Sequence, residues 1–181
     1  MRMWLPALCL ALFLPLQADA RSHEGVTLPD TVNLGGQNLV LNGMGLREKY
    51  FIDIYVAGLY LPAKTSDASK AISDDVPKRI DMAMTYELEK AKLADTMREG
   101  IGSAGNAEAK KHAGTLAGWM EDVTEGDHII IDYVPGKGTT ITVKGKVKGT
   151  IPGPEFMQGI FSVYLGPNPP TGTLKKGLLG G

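Results

Sequence analysis

Hydrophobic and polar positions along the chain fall into runs of two periods, and the order of those runs predicts the layers of the fold. "GVTLPDTVNLGGQNLVLNG" (25–43) reads as short strands separated by the turn signals Pro29-Asp30 and Gly35-Gly36. Residues 50–60 form a run of aromatic, β-branched and aliphatic side chains interrupted by Asp53, which predicts one strand. That run is apolar on both parities, so both of its faces are expected to be buried. Gly58 within it predicts a bulge or a close approach. Residues 65–75 predict a short helix with Ser or Asp caps, and "KRIDMAMTYE" places Ile80, Met82, Met84 and Tyr86 on one face of a strand.

Two helices are then expected. The first spans about 89–101, with Leu93, Met97 and Ile101 on one face, and 102–105 breaks it. The second starts at Asn106 as N-cap and runs to about 120, burying Leu116, Trp119 and Met120. "HIIIDYVP" and "TTITVKGKVKGTIP" predict a strand pair joined by 135–138. Pro154 opens a helix that Gly166-Pro167 stops, and the tail "TGTLKKGLLGG" is a last short helix or turn. Strands, two helices, strands and a helix argue for an α+β fold, with helices packed on one face of a mostly antiparallel sheet.

The 181 residues suffice for one domain with a substantial core. A basic residue (Arg2), an apolar run over 4–16 and an Ala-x-Ala site at 18–20 predict a secretory signal peptide over 1–20, cleaved before Arg21. The mature domain is then 21–181, exported to the periplasm or secreted, as in bacteria. The apolar run is short for a bilayer span, so no transmembrane segment is expected. Leu8 is too bulky for Cys9 to read as a lipid attachment site. Cys9 is the only cysteine, so the mature chain has no disulfide, thiol nucleophile or thiolate metal site. A formal net charge of −1 gives no electrostatic footprint for nucleic acid.

Candidate chemistry is sparse. His23, His112 and His128 are far apart and lack ligand-like neighbours, so surface or capping roles outweigh metal binding, and neither a metal nor a cofactor is expected. There is no Gly-x-Ser-x-Gly elbow, and "GPEFMQG" and "GKGTT" lack phosphate-loop spacing. Lys144, Lys146 and Lys148 alternate as on a solvated or edge-protecting strand face. Met82, Met84, Met97, Met120 and Met157 fall on buried faces, more often core than a soft ligand lining. Arg47, behind Gly43 and Gly45, is the strongest remaining signal, although an arginine near a turn is usually exposed.

Three segments add to this picture. "LNGMGLREKYFIDIYVAGLYLP" resembles the Gly-x-Gly-x-Arg and Leu-Tyr-Leu segments of the chalcone isomerase fold. "IPGPEFMQGIFSVYLGPNPPTGTLKKGLLG" is similar to the C-terminal segment of bacterial exported chalcone isomerase-like proteins, and the helix pair falls where that family has its helices. The resemblance implies a large antiparallel sheet, helices on one side, and an apolar cleft between the layers. The plant enzymes cyclise chalcones in that cleft; relatives without the activity hold a fatty acid there, with an Arg and a Tyr on the carboxylate.

Carried over by position, the enzymes' Arg falls on Arg47, their strand Thr on Tyr55, their helix Tyr and Asn on Leu93 and Gly100, and their late hydroxyl on Val163. Leu93, Gly100 and Val163 cannot supply the polar network that stabilises an enolate. Tyr55 instead recreates the Arg-plus-Tyr pair of the fatty-acid binders. The resemblance therefore implies a non-catalytic protein binding a fatty acid or similar apolar carboxylate through Arg47, Tyr55, Leu93 and Val163. The alternatives are an isomerase or lyase with a rearranged site, and an interaction module with a filled cleft; no protein partner is specified. On one straight strand Arg47 and Tyr55 would lie roughly 26 Å apart. Either Arg47 reaches in from the sheet end, or Asn42 or Met44 takes its place.

Overall fold

A computed structural model of the chain describes residues 20–181. The expected signal peptide, apart from Ala20, lies outside the described residues. Seven antiparallel strands form one sheet in sequence order: β3 (Thr31–Leu34), β4 (Gln37–Lys49), β5 (Ile52–Leu61), β6 (Lys78–Met84), β7 (His128–Val134), β8 (Gly138–Val143) and β9 (Lys146–Ile151). The preceding strands β1 (Ala20–His23) and β2 (Val26–Pro29) form a separate hairpin.

The helices α1 (Ala68–Ser73), α2 (Lys90–Ala104), α3 (Ala107–Lys111), α4 (Ala113–Trp119), α5 (Pro154–Leu165) and α6 (Gly172–Leu178) complete the α+β architecture. The main core lies between helices and sheet. Alternate residues Ala57, Leu59 and Leu61 of β5 and Ile80, Met82 and Met84 of β6 meet Phe156, Ile160 and Phe161 of α5 there. On the opposite face a smaller cluster joins Leu28 of the β1–β2 hairpin to Leu39, Leu41 and Tyr60. The Tyr60 hydroxyl donates to the Pro29 carbonyl at 2.9 Å. Strand β5 is thus buried on both faces, as its double-parity pattern predicts. Gly58 marks a close approach: a methyl there would stand 2.7 Å from Leu28 Cδ1.

The two glycines before Arg47 have a packing reason. α6 lies directly on β4, and a Cβ on Gly45 would sit 3.0 Å from the Leu174 Cα and closer still to its carbonyl oxygen. From the helix side, a Cβ on Gly177 would sit 2.7 Å from the Gly45 Cα. Leu174 and Leu178 are fully buried beneath α6. Asn42 is buried and structural, donating to the Leu178 carbonyl at 2.7 Å and accepting from the Thr65 amide at 2.7 Å. Met44 packs against the opposite-face cluster.

Several expected boundaries move. The predicted strand over 50–60 begins only at Ile52, because Tyr50 and Phe51 form the β4–β5 turn with φ of 52° and 64°. β6 ends at Met84, leaving Tyr86 41% exposed in the following loop. α2 continues through Gly102 to Ala104 and is capped by Gly105. Asn106 does cap the next helix, accepting from the Ala109 amide at 2.9 Å, but that helix breaks at His112 into α3 and α4. Trp119 is only partly buried. The single strand expected after 138 is two, turning at Lys144 (φ 53°) and Gly145 (φ 71°). Lys144, Lys146 and Lys148 therefore do not share one strand: Lys144 sits in the turn, and the other two lie on the edge strand β9.

Candidate functional site

The β4–β5 turn removes the separation of Arg47 and Tyr55. Their Cα atoms are register partners across the hairpin, with one extra residue at Asn42 on β4 and one at Ile54 on β5. The Arg47 guanidinium carbon lies 5.7 Å from the centroid of the Tyr55 ring, within cation–π range. The straight-strand distance fails because the turn consists of aromatics rather than the Asn-Gly pairs that announce a hairpin.

Both residues line a cavity of about 270 Å³ between the sheet and α2 and α5. Met82, Met84 and Ile129 supply its sheet wall, Leu93 and Met97 its α2 wall, and Val163 and Tyr164 its α5 wall. Leu93, Gly100 and Val163, the three positions where the plant enzymes' polar groups would fall, all lie on this wall. Of the five methionines on predicted buried faces, Met82, Met84 and Met97 line the cavity, whereas Met120 and Met157 are core. Leu88, Thr96, Glu99, Ser103 and the loop 168–170 complete the lining, with Glu99, Ser103 and Asn168 exposed to solvent.

Helix periodicity accounts for Leu93, Met97 and Gly100 sharing one side of α2. Strand alternation accounts for Met82 and Met84, and Met84 pairs with Tyr55 across β5–β6. Burial pushes the hydroxyl of Tyr55 up from its ordinary pKa, and the neighbouring Arg47 charge pulls it part of the way back. Tyr164 is likewise raised by burial. Both phenols therefore stay neutral donors at physiological pH. No acidic side chain among the described residues forms an ion pair with Arg47, whose side-chain neighbour is Tyr55. A guanidinium in an apolar wall, next to a neutral phenol, can form a charge-assisted fork to a carboxylate.

Sequence reasoning missed Ile129, Tyr164, Thr96 and the loop 168–170. Ile129 and Tyr164 carried a detectable signal as apolar inward positions of β7 and α5. The loop carried none, since its Pro-Pro pair marks only a turn.

A family model described as chalcone isomerase-like matches residues 20–180. The chain belongs to the chalcone isomerase-like family. Comparison with curated proteins finds no match. Among solved structures, this chalcone isomerase-like protein is similar to a fatty-acid binding protein of Arabidopsis thaliana, with a TM-score of 0.69. The alignment covers 89% of this chain and 96% of that one at 15% identity, a level that establishes the shared fold.

The histidines sit away from the cavity lining. His128 Nδ1 lies 2.6 Å from Asp81 Oδ1, and His112 stands edge-on to Phe156 while its Nε2 is 3.3 Å from Glu108. His23 ends β1. No group of three or more potential metal ligands occurs among the described residues. No described helix is long and apolar enough to cross a membrane.

Proposed function

We propose that this protein is a non-catalytic binder of a fatty acid or similar apolar carboxylate, held with its headgroup on Arg47 and Tyr55 and its chain among Leu93, Met97, Val163 and the β6 methionines. One observation carries the reading. Arg47 is an ionised donor in the wall of an apolar cavity, and no carboxylate among the described residues lies within 4.0 Å of it. The absence of hydrogen-bonding side chains at Leu93, Gly100 and Val163 weighs against cyclisation chemistry, which needs donors where negative charge develops.

Cavity size narrows the ligand. A methylene takes up about as much room as a liquid water molecule, so 270 Å³ holds roughly nine carbons. Longer chains would extend through the mouth between α2 and the loop 168–170.

Calorimetric titration tests the reading with decanoate, its alcohol analogue and longer acids. Arg47→Ala is expected to weaken decanoate binding at least tenfold. Removing one partner of a desolvated charge pair costs roughly 2–5 kcal/mol, and about 1.4 kcal/mol is a decade in affinity. Arg47→Lys is expected to rescue only part of this, since an ammonium does not reproduce the fork. Decanol binding is expected to change little. Equal binding of acid and alcohol by parent and Arg47→Ala would remove Arg47 from the site.

The site is further proposed to work outside the cytoplasm, after cleavage before Arg21. Intact mass of the protein recovered from its native cell tests this, and retention of Met1 on functional protein would contradict it.

A further inference from the structure

Five large hydrophobic side chains are exposed among the described residues, and four of them gather at one end of the sheet. Tyr50 is 83% exposed, Phe51 97% and Ile52 39%, all at the β4–β5 tip. Tyr86 lies beside them, because Thr85 donates its amide to the Ile54 carbonyl at 3.1 Å and its hydroxyl to the Asp53 carbonyl at 3.0 Å. This is also the cavity's end of the sheet. Arg47 and Tyr55 stand a few residues behind the tip on its two strands, and Leu88, two residues beyond Tyr86, lines the same cavity.

The tip is unfavourable for a water-exposed turn in two ways. Both aromatics occupy the left-handed region, which costs a non-glycine residue about 1–2 kcal/mol. Asn-Gly would occupy the same turn with little strain. The rings are also left in water. Strain of this kind collects at functional positions.

We propose that the Tyr50-Phe51 tip, with Ile52 and Tyr86, docks onto a lipid surface and sets the cavity mouth against it, so that the ligand enters from lipid. The loading half of this proposal rests on the function proposed above; the docking half does not. Geometry and charge select lipid as the occupant. Two rings standing out at the apex of a two-residue turn are convex, and they penetrate a fluid interface more readily than they match a flat protein surface. Tyrosine combines an apolar ring with a polar end, as interfacial anchors do. Glu48, Lys49 and Asp53 at the tip, Glu87 beside Tyr86 and Glu99 in the cavity lining are exposed charges on this side, with Lys49 Nζ 5.6 Å from the Tyr50 ring centroid. Their mostly negative signs favour a zwitterionic surface over a strongly anionic one.

The test compares the parent with the double variant Tyr50→Asn, Phe51→Gly. The variant removes both rings and installs the relaxed turn, so its thermal transition is expected to equal or exceed the parent's. In co-sedimentation with phosphatidylcholine vesicles, the parent is expected to partition at least tenfold more than the variant, and adding phosphatidylglycerol is expected to give no more than a twofold gain. Equal partitioning of parent and variant would overturn the proposal. So would a parent that ignores vesicles while its capture of another protein requires the tip. Decanoate titration without vesicles separates the two readings. Unchanged affinity in the variant supports docking as distinct from binding. Failure of both proteins to bind decanoate, with vesicle partitioning intact, removes the loading role and leaves docking standing.

Discussion

Replacing Gly45 by alanine tests the backbone contact between β4 and α6. The added methyl would stand 3.0 Å from the Leu174 Cα and well inside contact distance of its carbonyl oxygen. Backbone cannot rotate away as a side chain can, so either β4 or α6 must shift. If the sheet absorbs the shift, the cost is that of overpacking, about 1–3 kcal/mol. If α6 lifts off, Leu174 and Leu178 lose their buried sites, at about 1.5–3 kcal/mol each. The expected loss therefore lies between about 1 and 6 kcal/mol. A loss of about 1 kcal/mol lowers the melting temperature by about 2–4 °C in a domain of this size.

Calorimetry and urea denaturation of Gly45→Ala measure that loss. Gly177→Ala supplies the second arm, because its methyl enters the same gap from the helix side. Once one methyl has opened the gap the second meets less resistance, so the double variant is expected to lose clearly less than the two single losses combined. A Gly45→Ala loss below about 0.5 kcal/mol, or strict additivity with Gly177→Ala, would refute the close-contact account.

Two further predictions concern titrating groups. The bond to Asp81 raises the pKa of His128, so its contribution is fully present below about pH 6.5 and is lost as pH rises through the folded value. The stability advantage of the parent over His128→Gln is therefore expected to shrink between pH 6 and pH 8.5; a constant difference across thermal scans would contradict this. Lys78 is fully buried, donates to the Ala71 carbonyl at 2.7 Å, and is pushed down to about 8 by desolvation. Because its folded pKa is depressed, its ammonium weakens the fold near neutral pH, and this effect is relieved as pH rises towards about 10.4. The stability of the parent relative to Lys78→Met is expected to increase between pH 7.5 and pH 10 in urea denaturation, and a decrease would reverse the assignment.

The α+β layering was legible because it rests on periodicity. The alternation Ile80, Met82, Met84 and the spacing Leu93, Met97, Ile101 each report a buried face, and both groups are buried in the main core. Turn positions were legible only where turn chemistry was present, as at Pro29-Asp30 and Gly35-Gly36. Tyr50-Phe51 carries strand-forming residues in a turn, so local propensity pointed the wrong way and hid the hairpin that brings Arg47 to Tyr55. α2 runs through Gly102 because its buried stripe outweighs the propensity cost of one glycine, about 1 kcal/mol. In the cavity, Arg47, Tyr55, Leu93 and Val163 were reached through motif positions. Met82, Met84 and Met97, with Ile129 and Tyr164, follow strand or helix periodicity, whereas Leu88 and 168–170 depend on which loops close over the sheet end, and local pattern does not encode that.

The docking of α6 on β4 also has a consequence in time. Asn42 and the Leu178 carbonyl that it holds are 136 residues apart. Contacts so distant along the chain form late, because loop closure must precede any gain from packing. During synthesis, β4 emerges long before the helix that covers its glycines, and the trough over Gly43 and Gly45 stays open until the C-terminal segment leaves the ribosome. A chain built this way must reach almost its full length before α6 can close over the glycines of β4, so closure of this layer is a post-synthetic step.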